Sequence, residues 1–170
     1  AGILDRRLEA KKRGLKRVAD SYKITLNGSY GKMGSPYSIF YAPALMLQVT
    51  LTGQMILLML IEMLEDAGIR VVSANTDGVI SMVPRHMSDT KAAVLKAWQE
   101  ITGFDTENTK YDFVFSRDVN SYIAAKTGVP KDAKYSDRFK TKGEFATTGL
   151  MKNPSNQVCV DAVVAYLTHG

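Results

Sequence analysis

The 170-residue sequence predicts an α+β fold with an antiparallel sheet. Three observations lead there. Two apolar runs, 69–74 and 79–83, flank an Asp77-Gly78 turn, which is a strong β-hairpin signal. Two further β-type runs, 110–115 and 121–126, are linked through Arg117-Asp118-Val119-Asn120. Residues 3–31, 42–67, 88–101 and 157–167 carry helical patterning. Strands paired by short turns, with helices on one face, specify α+β.

The elements follow in chain order. Over 3–31, Leu15, Val18, Ala19, Tyr22 and Leu26 recur as an apolar helical stripe. Lys16, Lys23, Asn27 and Tyr30 fall on a second stripe roughly 90° around the same helix. Gly28, Gly31 and Gly34, then Pro36, are expected to end it. Residues 42–67 read as one long helix rich in Leu and Met, stopped by Gly68. It is apolar over much of its circumference, so burial is expected. The hairpin follows, and Pro84 stops its second strand. Ser88 or Asp89 caps a helix that runs to about Ile101, with Gly103 after it. After the two further strands, 127–143 reads as polar loop or hairpin. A final helix covers Gln157–Leu167.

Composition narrows the function. Hydrophobic residues make up 45% and charged residues 23%, enough for one sizeable core and against disorder. One cysteine, Cys159, excludes a disulfide framework or a multi-Cys zinc site, and two histidines make a His-based metal site a poor expectation. The most apolar run, Met55–Leu64, is too short to span a bilayer, so no membrane partner is expected. The opening Ala1-Gly2-Ile3-Leu4 reads as the middle of a longer chain.

The net charge is +5, and residues 1–23 account for it. They hold eight basic residues (Arg6, Arg7, Lys11, Lys12, Arg13, Lys16, Arg17, Lys23) against Asp5, Glu9 and Asp20. A basic helical segment is either a solvated face or an electrostatic footprint for nucleic acid or nucleotide.

Two constellations carry chemistry. In the first, Lys23, Asn27 and Tyr30 stand at i, i+4 and i+7, followed by Gly31. Lysine is a flexible point charge suited to phosphate, and tyrosine offers a ring and a hydroxyl. The glycine lets a backbone or a base pair come close. The plainer reading is a polar helix face with a glycine stop. The second is the tip Asn75-Thr76-Asp77-Gly78, where Asp77 is placed to ligate a divalent cation such as Mg²⁺. Its plainer reading is a common Asp-Gly turn.

Taken together and in this order, the two resemble family B DNA polymerases. Lys23, Asn27, Tyr30 and Gly31 match the family's Lys-x-x-x-Asn-Ser-x-Tyr-Gly motif, with Gly28 in the place of Ser. Thr76 and Asp77 match its Asp-Thr-Asp-Ser metal hairpin, while Asn75 and Gly78 depart from it. Tyr122 lies where the family has Lys-Lys-x-Tyr, with Asn120 and Ser121 at the lysine positions. Lys142-Gly143 resembles the step leading from palm to thumb, and Lys152-Asn153-Pro154-Ser155 the start of a phage-type thumb.

The resemblance implies an antiparallel palm sheet with a metal-binding hairpin, packed against helices, and a protruding fingers helix. Its segments would be fingers over 1–34, palm over 35–148 and the thumb's beginning over 149–170. It also implies template-directed addition of dNTP to a primer 3′ end with two Mg²⁺ ions. Lys23 and Asp77 would be catalytic, with Asp77 the metal ligand. Lys23, Asn27, Tyr30 and Gly31 would bind nucleotide, with Tyr30 under the nascent pair near the minor groove. Tyr122, Lys142 and Gly143 would contact DNA. The fingers helix would be mobile relative to the palm and close on nucleotide. The family's other catalytic aspartate, from an Asp-x-x-Ser-x-Tyr-Pro segment, has no counterpart here, and Asp5 lies in a helical context. The chain alone is therefore expected to be inactive and to need the remainder of a polymerase chain beside primer–template DNA and dNTP. A bacterial or phage-infected cytoplasm is the compartment the resemblance implies. The alternative is a non-catalytic nucleic-acid-binding module.

Other residues have packing roles in prospect. Trp98, Cys159 and Met46, Met55, Met59 and Met63 are expected in the core, and His86 and His169 at the surface.

Overall fold

The structure, a computed structural model, describes residues 2–130, 134–146 and 157–169. Its helices are α1 (Ile3–Lys12), α2 (Lys16–Met33), α3 (Pro43–Asp66), α4 (Ser88–Thr102), α5 (Tyr135–Arg138) and α6 (Gln157–His169). Its strands are β1 (Arg70–Ala74), β2 (Val79–Met82), β3 (Tyr111–Asp118), β4 (Ser121–Lys126) and β5 (Phe139–Lys142). They form two antiparallel sheets, β1–β2 and β3–β4–β5. The fold is α+β. The chain divides into two compact units, Ala1–Met59 and Leu60–Gly170. The thumb-like Lys152–Ser155 lies outside the described residues.

In the first unit, the single helix expected over 3–31 is two helices. Gly14 has φ +71°, a left-handed conformation that only glycine adopts cheaply. Leu15 N–H donates to Ala10 O at 2.9 Å and Gly14 N–H to Lys11 O at 3.2 Å. This paired bonding closes α1 in a Schellman motif. Of Gly28, Gly31 and Gly34, expected to end the helix, only Gly34 does, as its C-cap. α2 runs through the other two to Met33, because the i→i−4 ladder outweighs the roughly 1 kcal/mol that each glycine costs in a helix interior. Small residues, Ala10 and Ala19, are the buried positions of α1 and α2.

α3 departs from expectation in two ways. It was expected to be buried, yet only Leu60 and Leu64 are. Met55 is 64% exposed, and Met46, Met59 and Met63 are half-buried, so none of the four is a core residue. Apolar side chains surround the helix, and the described elements cover only a stretch near its C-terminal end. Its length also changes the membrane argument made on Met55–Leu64. The whole helix has 24 residues and a most-apolar window of mean hydropathy 1.9, long and apolar enough to cross a membrane by length and composition.

In the second unit, Ile69 N–H donates to Leu64 O at 2.9 Å where α3 ends. Both side chains are buried, giving the apolar contact that accompanies such a C-terminus. The main core lies between the three-stranded sheet and α6. Ile123, Ala125, Phe139 and Val164 are buried there, against Phe113, Phe145, Val160 and Leu167. Val160, Val164 and Leu167 recur at helical spacing, which turns Cys159 away from the sheet. Cys159 is exposed, which corrects its expected burial. Trp98 is buried on α4, and His86 is exposed, as expected.

Candidate functional site

Each unit carries one of the two constellations. On α2, Lys23 and Asn27 are exposed and Tyr30 is half-buried. Lys23 and Asn27 make no hydrogen bond or ion pair among the described residues, so their polar groups are available. The side chains next to them are spent. Ser21, Thr25 and Ser29 hydroxyls each donate to the carbonyl four residues back, at 3.1, 3.1 and 2.9 Å. Sequence reasoning missed this self-satisfied hydroxyl stripe, although the four-residue spacing was its signal.

Tyr30 is held from α3. Its hydroxyl hydrogen-bonds Thr50 Oγ1, and Thr50 Oγ1 donates to Met46 O at 2.9 Å. Thr50 has one hydroxyl proton, already given to Met46, so Tyr30 is the donor in this pair. The tyrosine oxygen keeps its acceptor capacity and its ring is fixed in direction. Thr50 was not among the expected site residues, because a bond spanning a helix–loop–helix leaves no local pattern. Gly31 has open space where a Cβ would stand, and Gly28 likewise. Neither glycine has positive φ. Local folding therefore does not require glycine at either position, and a bare patch of backbone adjoins Tyr30.

Positive charge gathers upstream. Lys11, Lys12, Arg13, Lys16 and Arg17 straddle the α1–α2 junction. Glu9 tempers it, with Arg13 Nη1 3.7 Å from Glu9 Oε1, an exposed pair of small energetic weight. The first turn of α2 has no acidic residue, so its dipole adds to this positive potential.

The hairpin tip has a defined geometry. Ala74 pairs with Val79, and Asn75 N–H donates to Gly78 O at 2.8 Å. Thr76 and Asp77 form the tip itself. Gly78 lacks positive φ and a Cβ there would meet nothing within 4 Å. The expected Asp-Gly turn is thus a Thr-Asp tip. Asn75 Oδ1 accepts from Thr76 N–H at 2.7 Å and Thr76 Oγ1 at 3.1 Å, so Asn75 locks the turn. Asp77 is exposed and has no hydrogen-bond or ion-pair partner among the described residues. No three His, Cys, Asp or Glu side chains among those residues form a metal-holding group. The tip fits one carboxylate arm of an Mg²⁺ site, since Mg²⁺ is commonly held by one or two carboxylates, waters and substrate phosphates.

The three expected DNA contacts come together on the other sheet. Tyr122 and Lys142 are direct cross-strand partners of β4 and β5. Gly143 follows with φ +65°, and a Cβ there would stand 2.9 Å from Ser121 Cα. The chain passes so closely over the β3–β4 turn that this position has a packing reason for glycine. Arg117 pairs with Glu144 beside it. Neither the family models nor the curated protein sequences compared with this chain match it.

Proposed function

We propose that the chain carries the nucleotide-binding helix and one metal-binding carboxylate of a family B-type DNA polymerase, with the second catalytic carboxylate supplied from outside these residues. The observation that carries this reading is the face of α2. It offers an unspent cation and an unspent amide, an oriented tyrosine ring and an open glycine backbone in series. Lys23 binds the triphosphate, Asn27 orients it, and Tyr30 presents its ring beneath the incoming base. Its hydroxyl proton is committed to Thr50, so Tyr30 selects by shape and not by donating to minor-groove acceptors. The basic α1–α2 junction draws in the anionic substrate.

Asp77 holds one side of the Mg²⁺ site. When bound there, Mg²⁺ supplies charge neutralisation for phosphoryl transfer. Alone, the chain binds nucleotide and DNA weakly and does not extend a primer. On this reading α3 is covered by protein, since Gln48, Thr50, Thr52 and Gln54 lie along it and Thr50 is bonded to Tyr30.

Mn²⁺ line broadening tests the metal arm. Amide signals of Thr76, Asp77 and Gly78 should broaden at low Mn²⁺ and recover in Asp77→Asn. Equal broadening in the variant removes Asp77 from the site. A second reading, a non-catalytic nucleic-acid-binding module, is favoured by the lone carboxylate at the tip. It predicts DNA binding with no selective broadening there.

A further inference from the structure

α3 carries a stripe of large apolar side chains that the described residues leave uncovered. Leu47, Leu51, Met55 and Leu58 are 59%, 49%, 64% and 45% exposed. At 100° per residue they share an arc of about 80°, turned roughly 60–140° from Thr50, the residue bonded to Tyr30. No Lys, Arg, His, Asp or Glu lies between Lys32 and Glu62. Covering the stripe therefore desolvates no charge.

α3 also sets its charges against its own dipole. Its first turn has no acidic residue and its last turn no basic one. Glu62, Glu65 and Asp66 stand at its carboxyl end, and among the described residues they form no ion pair. Carboxylates are unfavourable there and favourable at an amino end. Glu62 and Glu65 lie about 120° and 60° from Thr50, so they continue the apolar stripe.

A second α3 running antiparallel removes this mismatch. The stripe is centred between Thr52 and Gly53. A two-fold axis there sets Leu47 opposite Leu58 of the second copy, Leu51 opposite Gln54 and Glu62 opposite Pro43. The carboxylates of each helix then lie beside the unsatisfied first-turn N–H groups of the other. A parallel pairing would set Glu62 against Glu62 and Glu65 against Glu65, so charge selects the antiparallel arrangement. Gln48, Thr52 and Gln54 tell against lipid as the cover, since hydrocarbon offers their polar groups no partner. Surface is ample. Two separate compact bodies of the sizes of the two units would expose roughly 9,900 Å² together. The chain exposes 12870 Å². The excess, about 3,000 Å², is several times the about 800 Å² that each partner brings to a standard interface.

We infer that α3 is a homodimer interface, in which two copies pair antiparallel along Leu47, Leu51, Met55 and Leu58 with Glu62 and Glu65 at the amino end of the facing helix. The inference names the protein that covers α3 and stands without the nucleotide face of α2.

The test is sedimentation equilibrium of the full chain across a concentration series, with circular dichroism on each protein. The unsubstituted chain should follow a monomer–dimer equilibrium. Leu51→Asp should raise the dissociation constant at least tenfold with helix content retained, because it buries a charge opposite an amide. Val49→Asp, about 160° around the helix from Leu51, should leave the dimer intact. Glu62→Gln combined with Glu65→Gln should weaken it about three- to tenfold and lessen its salt dependence. Orientation is read by cross-linking in a Cys159→Ser background. Oxidising a mixture of Leu47→Cys and Leu58→Cys chains should join one variant to the other, while each variant alone stays unlinked. A monomer at every concentration overturns the inference, as do equal weakening by Val49→Asp and self-linking of either cysteine variant. Uptake into phosphatidylcholine vesicles by a chain that is monomeric in buffer also overturns it and assigns α3 to lipid.

Discussion

The Tyr30 hydroxyl donates a hydrogen bond to Thr50 Oγ1, twenty residues along the chain. Thr50 Oγ1–H in turn donates a hydrogen bond to the Met46 carbonyl. This relay fixes the ring that the proposed site presents to a base. Tyr30→Phe and Thr50→Val should each cost about 0.5–1.5 kcal/mol, and the double variant little more than either. Urea unfolding of the four proteins in the cycle measures the coupling. Full additivity contradicts the relay.

Gly31 gives a prediction in which stability and function separate. Its Cβ position is open and its backbone helical, so Gly31→Ala should stabilise the chain by about 0.5–1 kcal/mol. The same methyl should weaken nucleotide or DNA binding if that bare backbone is a contact surface. Thermal unfolding and a binding titration on one preparation check both. A gain in stability with undiminished binding leaves Gly31 outside the site.

Gly143→Ala should behave oppositely. Positive φ and the approach to Ser121 Cα set a cost of about 1–3 kcal/mol, read by denaturant midpoint. Binding by the surviving folded fraction reports whether Gly143 has any role beyond packing.

Lys140 should hold its proton to higher pH than an ordinary lysine. Burial pulls its pKa down, but the neighbouring Tyr111 and Tyr122 phenol groups, through the negative charge of their deprotonated form and through hydrogen bonding, outweigh burial and raise it. A raised folded pKa means the stabilising contribution is complete below the ordinary value of 10.5 and is lost as pH rises through the folded value. NMR titration of the lysine side-chain methylenes, with Tyr111→Phe as comparison, should show the Lys140 midpoint fall in the variant. An unmoved midpoint removes Tyr111 as its partner.

Most elements and their order were legible because each is written locally, but β5 was not: 127–143 reads as polar loop or hairpin, and Phe139–Lys142 pairs with β4 as a third strand. The hairpin is bounded by turn residues, and α6 by Val160, Val164 and Leu167 at helical spacing. Helix boundaries inside α1–α2 were less so, since Gly14, Gly28 and Gly31 look alike in sequence. Only Gly14 takes positive φ; the other two are carried by the helical ladder. Burial of α3 was misjudged because apolar patterning reports what a helix can bury, and not whether a partner is present. Lys23, Asn27 and Tyr30 were legible as one helix face, and Asp77 as a carboxylate at a hairpin tip. Thr50 was not, since a helix-to-helix hydrogen bond leaves no trace in residue spacing.

The central claim is that the α2 face binds a nucleoside triphosphate. Its most direct measurement is titration of the full chain with a fluorescent dATP, with and without Mg²⁺, beside Lys23→Ala. Lys23 is exposed and unpaired, so the substitution leaves the fold in place. The account predicts saturable, Mg²⁺-dependent binding that weakens about tenfold or more in Lys23→Ala. Absence of binding, or binding equal in the two proteins, contradicts it.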